Sequence, residues 1–223
     1  MRKTKKALAS LAIAGMVLSM APMNVFGATT VTTRLAGSDR IATAIAVAGQ
    51  GWTSSDNVIV VPADDANIVD ALAAAPLAGQ LNAPILVTYK GALDPTVQQK
   101  IVDLKAKNVY AIGALSADAV SSLKAISGVT VTALQGADRT ETAAKVAAQL
   151  TNIKGSFVVA YNGTPDAMSA ASFAAANGYS ILVENPDGTL PANEAAYNVG
   201  TKYTVGGQAT MTGVTSLAGA DRY

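Results

Sequence analysis

The sequence predicts an α/β protein made of tandem units, each a mainly parallel β-sheet flanked by helices. Two observations lead to this class. Short apolar runs rich in β-branched residues alternate with stretches of helical spacing. Long parts of the chain also occur twice, in the same order. Because strands that alternate with helices form right-handed βαβ units, we expect parallel strands with helices on the faces of each sheet.

The repeats organise the chain. A related hexapeptide occurs as LAGSDR at Leu35, LQGADR at Leu134 and LAGADR at Leu217, with spacings of 99 and 83 residues. The stretch DALAAAPLAGQLNAPILV from Asp70 aligns without a gap with DAMSAASFAAANGYSILV from Asp166, and VYAIG aligns with KYTVG. We therefore expect a first repeat over residues 28–133, a shortened second repeat over residues 134–216 and the start of a truncated third at residues 217–223.

The elements of each unit follow one pattern. Buried strands are predicted at NVIVV, PILVTY, NVYAIG and VTVTA, and again at SFVVAY, YSILVE and KYTVG. Helices are predicted at residues 67–81, 96–107 and 116–126. In the second unit QATMTGV is too short to replace the last of these helices. This order of elements is typical of Rossmann-like or Toprim-like units.

Residues 1–27 have the pattern of a secretory signal peptide. Four basic residues precede an apolar run at residues 7–20, and small residues lead to a cleavage site after Gly27. A membrane span needs about 20 apolar residues, more than this run provides. We expect a secreted protein with no membrane span in the mature chain.

Composition excludes several classes of function. Four of the 16 basic residues and none of the 15 acidic residues lie in residues 1–27, which leaves a mature chain of about −3 net charge. Nucleic-acid partners are not expected, because proteins that bind them normally have a basic surface. The chain has no cysteine and no histidine, which excludes disulfides, thiol nucleophiles and histidine-based acid–base or metal chemistry.

The hexapeptide has a structural explanation for two of its residues. Its glycine is predicted to make a tight turn, and its aspartate to cap the following alanine-rich helix by accepting hydrogen bonds from free amides. Glu141, three residues after Asp138, completes a predicted capping box. The predicted structural positions are Gly37, Asp39, Gly136, Asp138, Gly219 and Asp221.

The arginine of the hexapeptide is not explained in this way, because a cation in the first turn of a helix opposes the helix dipole. Either it pairs with the aspartate before it, or it makes a contact outside the helix. The helix itself is predicted to bury Ala44, Val47 and Ala48 in the first unit and Ala143, Val146 and Ala147 in the second.

These motifs resemble the type 2 cell-wall-binding repeat, found in clostridial-type surface-layer and cell-wall anchoring proteins of Gram-positive bacteria. The resemblance lies in RLAGSDR, in DALAAAPLAGQLNAPILVT and in VYAIG. It implies α/β repeats arranged in threes about a pseudo-threefold axis, and noncovalent anchoring to an anionic wall polysaccharide or teichoic-acid-like polymer. The second copy departs from the pattern, with Ala133 in place of Arg34 and Ser172 in place of Pro76.

The resemblance also gives candidate site residues. We expect no catalytic residue, no metal and no cofactor, and we expect self-association through an incomplete third repeat. The location implied is the cell wall or cell surface. The candidates for polymer binding are Arg34, Arg40, Arg139, Arg222, Asp70 and Asp166.

Two other classes of function stay open. An extracellular solute-binding α/β protein would hold its ligand where loops leave the carboxyl ends of the strands. A hydrolase would need paired carboxylates such as Asp64 and Asp65, although adjacent residues after a strand more often form a turn. No G-x-G-x-x-G or P-loop spacing is present to bind a nucleotide. We therefore expect a binding protein and not an enzyme.

Overall fold

The first unit contains a four-stranded parallel sheet. The computed structural model describes residues 34–192, 197 and 199–219. The strand order is β2–β1–β3–β4, and Ile59 of the central β1 pairs with Ile85 of β2 and Tyr110 of β3. The strands are β1 (Asn57–Pro62), β2 (Ile85–Thr88), β3 (Asn108–Ile112) and β4 (Thr130–Leu134). The helices are α1 (Arg40–Gly51), α2 (Ile68–Ala73), α3 (Ala75–Leu81), α4 (Pro95–Asp103) and α5 (Ala117–Lys124).

The second unit repeats this topology. Its strand order is β6–β5–β7–β8, again with every neighbouring pair parallel. The predicted α/β class with two parallel sheets is therefore confirmed. The strands are β5 (Gly155–Val159), β6 (Tyr179–Val183), β7 (Thr201–Val205) and β8 (Thr215–Leu217), and the helices of this unit include α6 (Arg139–Ala147) and α7 (Thr164–Asn177).

The helical stretch predicted at residues 67–81 is broken. It forms α2 and α3, which meet at Ala74. Pro76 lies in the first turn of α3, and because proline has no amide hydrogen it cannot continue the hydrogen bonding of a preceding helix. In the second unit Ser172 stands in the place of Pro76, and α7 runs unbroken for 14 residues. The prediction of one continuous helix over residues 67–81 was therefore wrong.

A buried carboxylate holds the shortened part of the second unit. The described residues between β7 and β8 form no helix, as the sequence predicted. Glu184, only 2% exposed, follows β6 and accepts hydrogen bonds from the amides of Thr210 at 2.9 Å and Met211 at 3.3 Å. Backbone bonds to this carboxylate therefore fix the loop where the first unit has α5.

The two units pack through α3 and α7. Gly79 of α3 lies against Ala175 of α7, and a Cβ at position 79 would be 2.1 Å from the carbonyl oxygen of Ala175. These two residues occupy equivalent positions in the aligned repeats. Val146 of α6 joins Ile59 and Leu77 of the first unit in one hydrophobic cluster. The repeats therefore share a core.

The burial predicted for α1 is partly wrong. Ile41 and Ala48 are its buried residues, whereas Ala44 is half-buried and Val47 is 46% exposed. At the equivalent position of α6, Val146 is 1% exposed. The difference arises because Val146 packs against the first unit, and no described segment makes the same contact with Val47.

The helices within the described residues include none that is long and apolar enough to cross a membrane. The predicted signal peptide, residues 1–27, lies outside the described part of the chain.

Candidate functional site

The turn that starts α1 is built by the hexapeptide of the first unit. Asp39 is the N-cap, and its carboxylate accepts a hydrogen bond from the amide of Ala42 at 2.8 Å. The amide of Gly37 donates to the hydroxyl of Thr43 at 3.0 Å. A Cβ at position 37 would lie 2.3 Å from the Cβ of Ala42, so a larger residue would push the turn away from the helix.

The corresponding turn starts α6. The carboxylate of Asp138 accepts a hydrogen bond from the amide of Glu141 at 2.9 Å, and this bond is the main reason that the pKa of Asp138 is below its usual value. The carboxylate of Glu141 in turn accepts from the amide of Ala137 at 2.7 Å. The predicted capping box would use the amide of Asp138 itself, so the observed box is shifted by one residue.

Each arginine contacts the loop after the first strand of its own unit. Nη1 of Arg40 donates to the carbonyl oxygen of Ala63 and, at 2.6 Å, to Oδ1 of Asp65. Nη1 of Arg139 donates to the carbonyl oxygen of Tyr161 at 2.7 Å, and its guanidinium carbon lies 4.7 Å from the centre of the Tyr161 ring. Of the two alternatives left open by the sequence, the contact outside the helix is the one observed.

Both guanidinium groups retain donors for a ligand. Among the described residues, neither Nε nor Nη2 of Arg40 or of Arg139 makes a hydrogen bond. The side chain of Arg40 is 49% exposed. A guanidinium can bind a carboxylate or phosphate through two parallel hydrogen bonds, so the remaining donors suit an anion.

The aligned aspartates lie over glycines at the ends of β3 and β7. A Cβ at Gly113 would be 2.3 Å from Oδ2 of Asp70, and a Cβ at Gly206 would be 2.2 Å from Oδ2 of Asp166. Both glycines have positive φ, 82° and 88°. These contacts were not predicted from the sequence, although the aligned motifs VYAIG and KYTVG contain both glycines.

Asp70 is the more deeply buried of the two aspartates. It is 5% exposed, whereas Asp166 is half-buried. Burial raises the pKa of Asp70 to about 6, although a hydrogen bond from the amide of Ala114 and the positive charges of Arg139 and Lys90 act in the opposite direction. Asp70 therefore gains or loses its charge close to neutral pH.

A pocket of about 250 Å³ lies where the two units meet. It opens where the chain leaves the carboxyl ends of β3, β4 and β5. This is the edge at which α/β proteins generally bind ligands. We call it the junction pocket; its walls include Asn67, Asp70 and Ala114 from the first unit and Gln135, Arg139 and Tyr161 from the second.

A second pocket, of about 370 Å³, surrounds Arg40. Its two adjacent carboxylates both make hydrogen bonds within the protein. Asp65 pairs with Arg40, and Asp64 accepts a hydrogen bond from the amide of Lys90 at 3.1 Å. We call it the first-unit pocket; its walls include Arg40, Ile41, Asp64, Asp65 and Tyr89.

Comparison with known families identifies the repeats. The profile described as cell wall binding domain 2 (CWB2) matches residues 34–122 and 133–213, more than half of the chain. The chain belongs to this family. The CWB2 match places the protein at the cell wall or cell surface and gives it a wall-binding function.

Two curated relatives of this CWB2 chain come from Bacillus subtilis (strain 168). It is 29% identical over 206 residues to the N-acetylmuramoyl-L-alanine amidase LytC, a match that covers 85% of this chain and 40% of LytC. It is 33% identical over 160 residues to the amidase enhancer, which covers 70% of this chain and 22% of the enhancer. The chain thus spans less than half the length of either relative.

Solved structures from Clostridium difficile have the same architecture. Cwp6 superposes with a TM-score of 0.74 at 27% identity, over 84% of this chain and 33% of Cwp6. Cwp8 superposes with a TM-score of 0.74 at 32% identity, over 84% of this chain and 35% of Cwp8.

Of the other candidates for polymer binding, Asp166 is not among the residues that line either pocket. Arg34 is exposed, and Gly219 is exposed after β8. Asp221 and Arg222 lie outside the described part of the chain. Arg40, Arg139 and Asp70 are therefore the polymer-binding candidates that line the two pockets, together with the predicted structural residues Asp39, Gly136 and Asp138.

Proposed function

We propose that the chain holds an exported protein at the cell wall by binding an anionic secondary polymer, either a polysaccharide or a teichoic-acid-like chain. The observation that carries this proposal is the pair of arginine turns at the carboxyl edges of the sheets. Each turn offers guanidinium donors that no described residue uses. A polymer that contacts both turns gains affinity because the second contact forms within the complex.

In this proposal the chain has no catalytic activity of its own. The CWB2 family is a binding family. The carboxylates of Asp64 and Asp65, considered above for a hydrolase, both hold the loop that faces Arg40. A solute-binding protein is the second candidate, and the small junction pocket is the observation that favours it.

The proposed organisation follows the repeats. A signal peptide occupies residues 1–27, one repeat occupies residues 28–133, a shortened repeat occupies residues 134–216, and a further repeat begins at residues 217–223. The proposal is supported by the recurrence of the hexapeptide at Leu35, Leu134 and Leu217.

Retention on purified cell walls tests the function. We expect the chain without residues 1–27 to bind walls stripped of protein, and the binding to weaken as salt rises because salt screens charge pairs. Binding that persists after chemical removal of the anionic polymer would contradict the proposal. Saturable binding of a small solute, with no retention on walls, would favour the second candidate.

Variants of the two arginines separate a specific site from general charge attraction. Arg139→Gln and Arg40→Gln each remove one positive charge at a pocket, and Lys124→Gln removes one from the exposed end of α5. We expect weaker retention for the arginine variants and unchanged retention for the lysine variant. Equal losses for all three would point to net charge alone. Melting curves identify any loss that comes from unfolding.

We further propose that the chain self-associates through the groove between α1, α3 and α7. Val47 lies there with 46% exposure, whereas the equivalent Val146 is buried against the neighbouring unit. The groove has a volume of about 390 Å³ and mainly apolar walls. We propose that a helix of a second copy occupies it. Its lining includes Val47, Trp52, Ala75, Ala78, Ala171 and Ala175.

Light scattering over a range of concentrations tests self-association. Val47→Glu should lower the mass of the associated species, because a charge in the groove would have to be desolvated. Val102→Glu is the matched control, since Val102 is 51% exposed on α4 and does not line the groove. A monomeric unaltered chain at every concentration would contradict this part of the proposal.

A further inference from the structure

Building on the proposed function, we propose that the junction pocket selects the polymer by holding one sugar residue that carries an anionic substituent. Arg139 binds the phosphate or carboxylate of that residue, and Asp70 accepts a hydrogen bond from a hydroxyl of the same residue. The first unit contributes Asp70 and the second contributes Arg139, so this subsite exists only where the two repeats meet.

The two charges face one pocket without neutralising each other directly. None of the ion pairs among the described residues joins Asp70 to Arg139. The charge of Arg139 nevertheless stabilises the ionised form of Asp70. A ligand that lies between the two side chains can therefore present an anion to one and a hydrogen-bond donor to the other.

The first-unit pocket lacks this arrangement. Its arginine, Arg40, is paired at 2.6 Å with Asp65 of its own unit. The strand registers place Gly163 of the second unit at the position of Asp65, and no carboxylate among the described residues forms an ion pair with Arg139 as Asp65 does with Arg40. Nη1 of Arg139 instead donates to the carbonyl oxygen of Tyr161. The charge of Arg139 is therefore more available to an anion than the charge of Arg40.

The size and polarity of the junction pocket fit one sugar residue. At about 250 Å³ it is smaller than the roughly 300–1,000 Å³ of pockets that enclose drug-sized ligands. Its lining residues include Asn67 and Gln135, whose side chains end in amides, as well as Asp70 and Arg139. Amides and carboxylates are the groups that hydrogen-bond sugar hydroxyls.

Asp70 is the residue that lets the pocket discriminate between a sugar phosphate and inorganic phosphate. Above its pKa of about 6 the carboxylate is charged. It then repels a bare anion and forms a strong, charge-assisted hydrogen bond with a hydroxyl. A sugar phosphate offers its phosphate to Arg139 and a sugar hydroxyl to Asp70, whereas inorganic phosphate has no sugar hydroxyl. The pocket is therefore expected to prefer the sugar phosphate.

The test uses two probes, glucose 1-phosphate and inorganic phosphate, at about pH 7.5. Calorimetry or chemical-shift titration measures the affinity of each probe for the chain without residues 1–27. We expect the unaltered chain to prefer glucose 1-phosphate. Asp70→Asn should lower the affinity for glucose 1-phosphate by about fivefold, because a neutral hydrogen-bond acceptor replaces a charged one. The same variant should bind inorganic phosphate more tightly, because the repulsion between the Asp70 carboxylate and the anion is removed.

Effects of opposite sign on the two probes cannot come from a loss of folding. Asp103→Asn, which removes a charge from the end of α4, should change neither affinity. Arg139→Lys keeps the positive charge but loses the planar guanidinium with its parallel donors, so the affinities for both probes should fall together. This second variant tests the anion-binding wall independently of Asp70.

Several outcomes would overturn the inference. They are equal affinities of the unaltered chain for the two probes, a parallel loss of both affinities in Asp70→Asn, or no effect of Arg139→Lys. If the chain still binds stripped walls in these cases, only the inference fails. If the chain does not bind walls at all, the proposed function fails, whatever the two probes show.

Discussion

Replacement of Gly79 by alanine tests the close approach of the two repeats. A Cβ at this position would lie 2.1 Å from the carbonyl oxygen of Ala175, and 3.4 Å is the shortest ordinary contact. The helices α3 and α7 would therefore have to separate locally by about 1.3 Å. Because the neighbouring atom belongs to the backbone, no side-chain rotation can relieve the contact.

The expected loss of stability combines two opposing effects. Overpacking of a closely packed contact costs about 1–3 kcal/mol. Alanine is favoured over glycine inside a helix by about 0.5–1 kcal/mol. The free energy of unfolding should therefore fall by about 1–2 kcal/mol, which lowers the melting temperature by about 2–8 °C for a chain of this size.

Gly49→Ala is the matched control for this measurement. Gly49 also lies in a helix, α1, but the nearest atom to an added Cβ is the terminal nitrogen of Lys100 at 3.4 Å. We expect this variant to be more stable by about 0.5–1 kcal/mol. Thermal and denaturant unfolding measure both variants. If Gly79→Ala stabilises the protein as much as Gly49→Ala does, the repeats do not meet as closely as described.

Three other changes have defined outcomes. Asp138→Ala should cost about 1 kcal/mol in denaturant unfolding by removing the N-cap of α6, and an unchanged midpoint would exclude that role. Glu184→Ala should cost about 1–3 kcal/mol because the amides of Thr210 and Met211 lose their carboxylate acceptor; unaltered stability would mean that other contacts hold the loop. The pKa of Asp70 is raised from 3.8 to about 6, so the folded state binds more protons between these values. The raised pKa therefore contributes about 3 kcal/mol to the free energy of unfolding below pH 3.8, and this contribution should be lost as the pH rises through 6. Asp70→Asn should show no such loss. If the free energies of unfolding of the two proteins differ by the same amount at every pH, the reasoning is refuted.

Much of the fold could be predicted because its signals are local. The runs around Val58, Leu86 and Val109 are short, apolar and separated by helical stretches, and all three residues are fully buried in parallel strands. The cap at Asp138 also follows from a local pattern. The break in the first long helix was missed, although Pro76 was visible in the sequence as a residue that cannot continue a helix.

Other features depend on which unit lies beside which, and no single repeat contains that information. Val47 and Val146 occupy equivalent positions, but in the part of the chain that the structure describes only Val146 packs against the other unit. The partner of Asp70 is likewise distant in sequence, since Gly113 follows a strand more than forty residues later. Aligned motifs show that such residues recur; they do not show that the residues touch.

The arginine of the repeated hexapeptide lies in a different chemical environment in each unit. The hexapeptide itself is nearly the same in both units, and in both units Nη1 of the arginine contacts the end of the first strand. The difference lies in the loop that receives it, where Asp65 pairs with Arg40 through its carboxylate, whereas Tyr161 offers Arg139 an uncharged ring and a carbonyl oxygen. An exposed ion pair of the first kind contributes little and competes with a ligand for the guanidinium. The second turn, which faces Asp70 of the preceding repeat, is therefore the one whose contact with an anionic polymer should carry both affinity and selectivity.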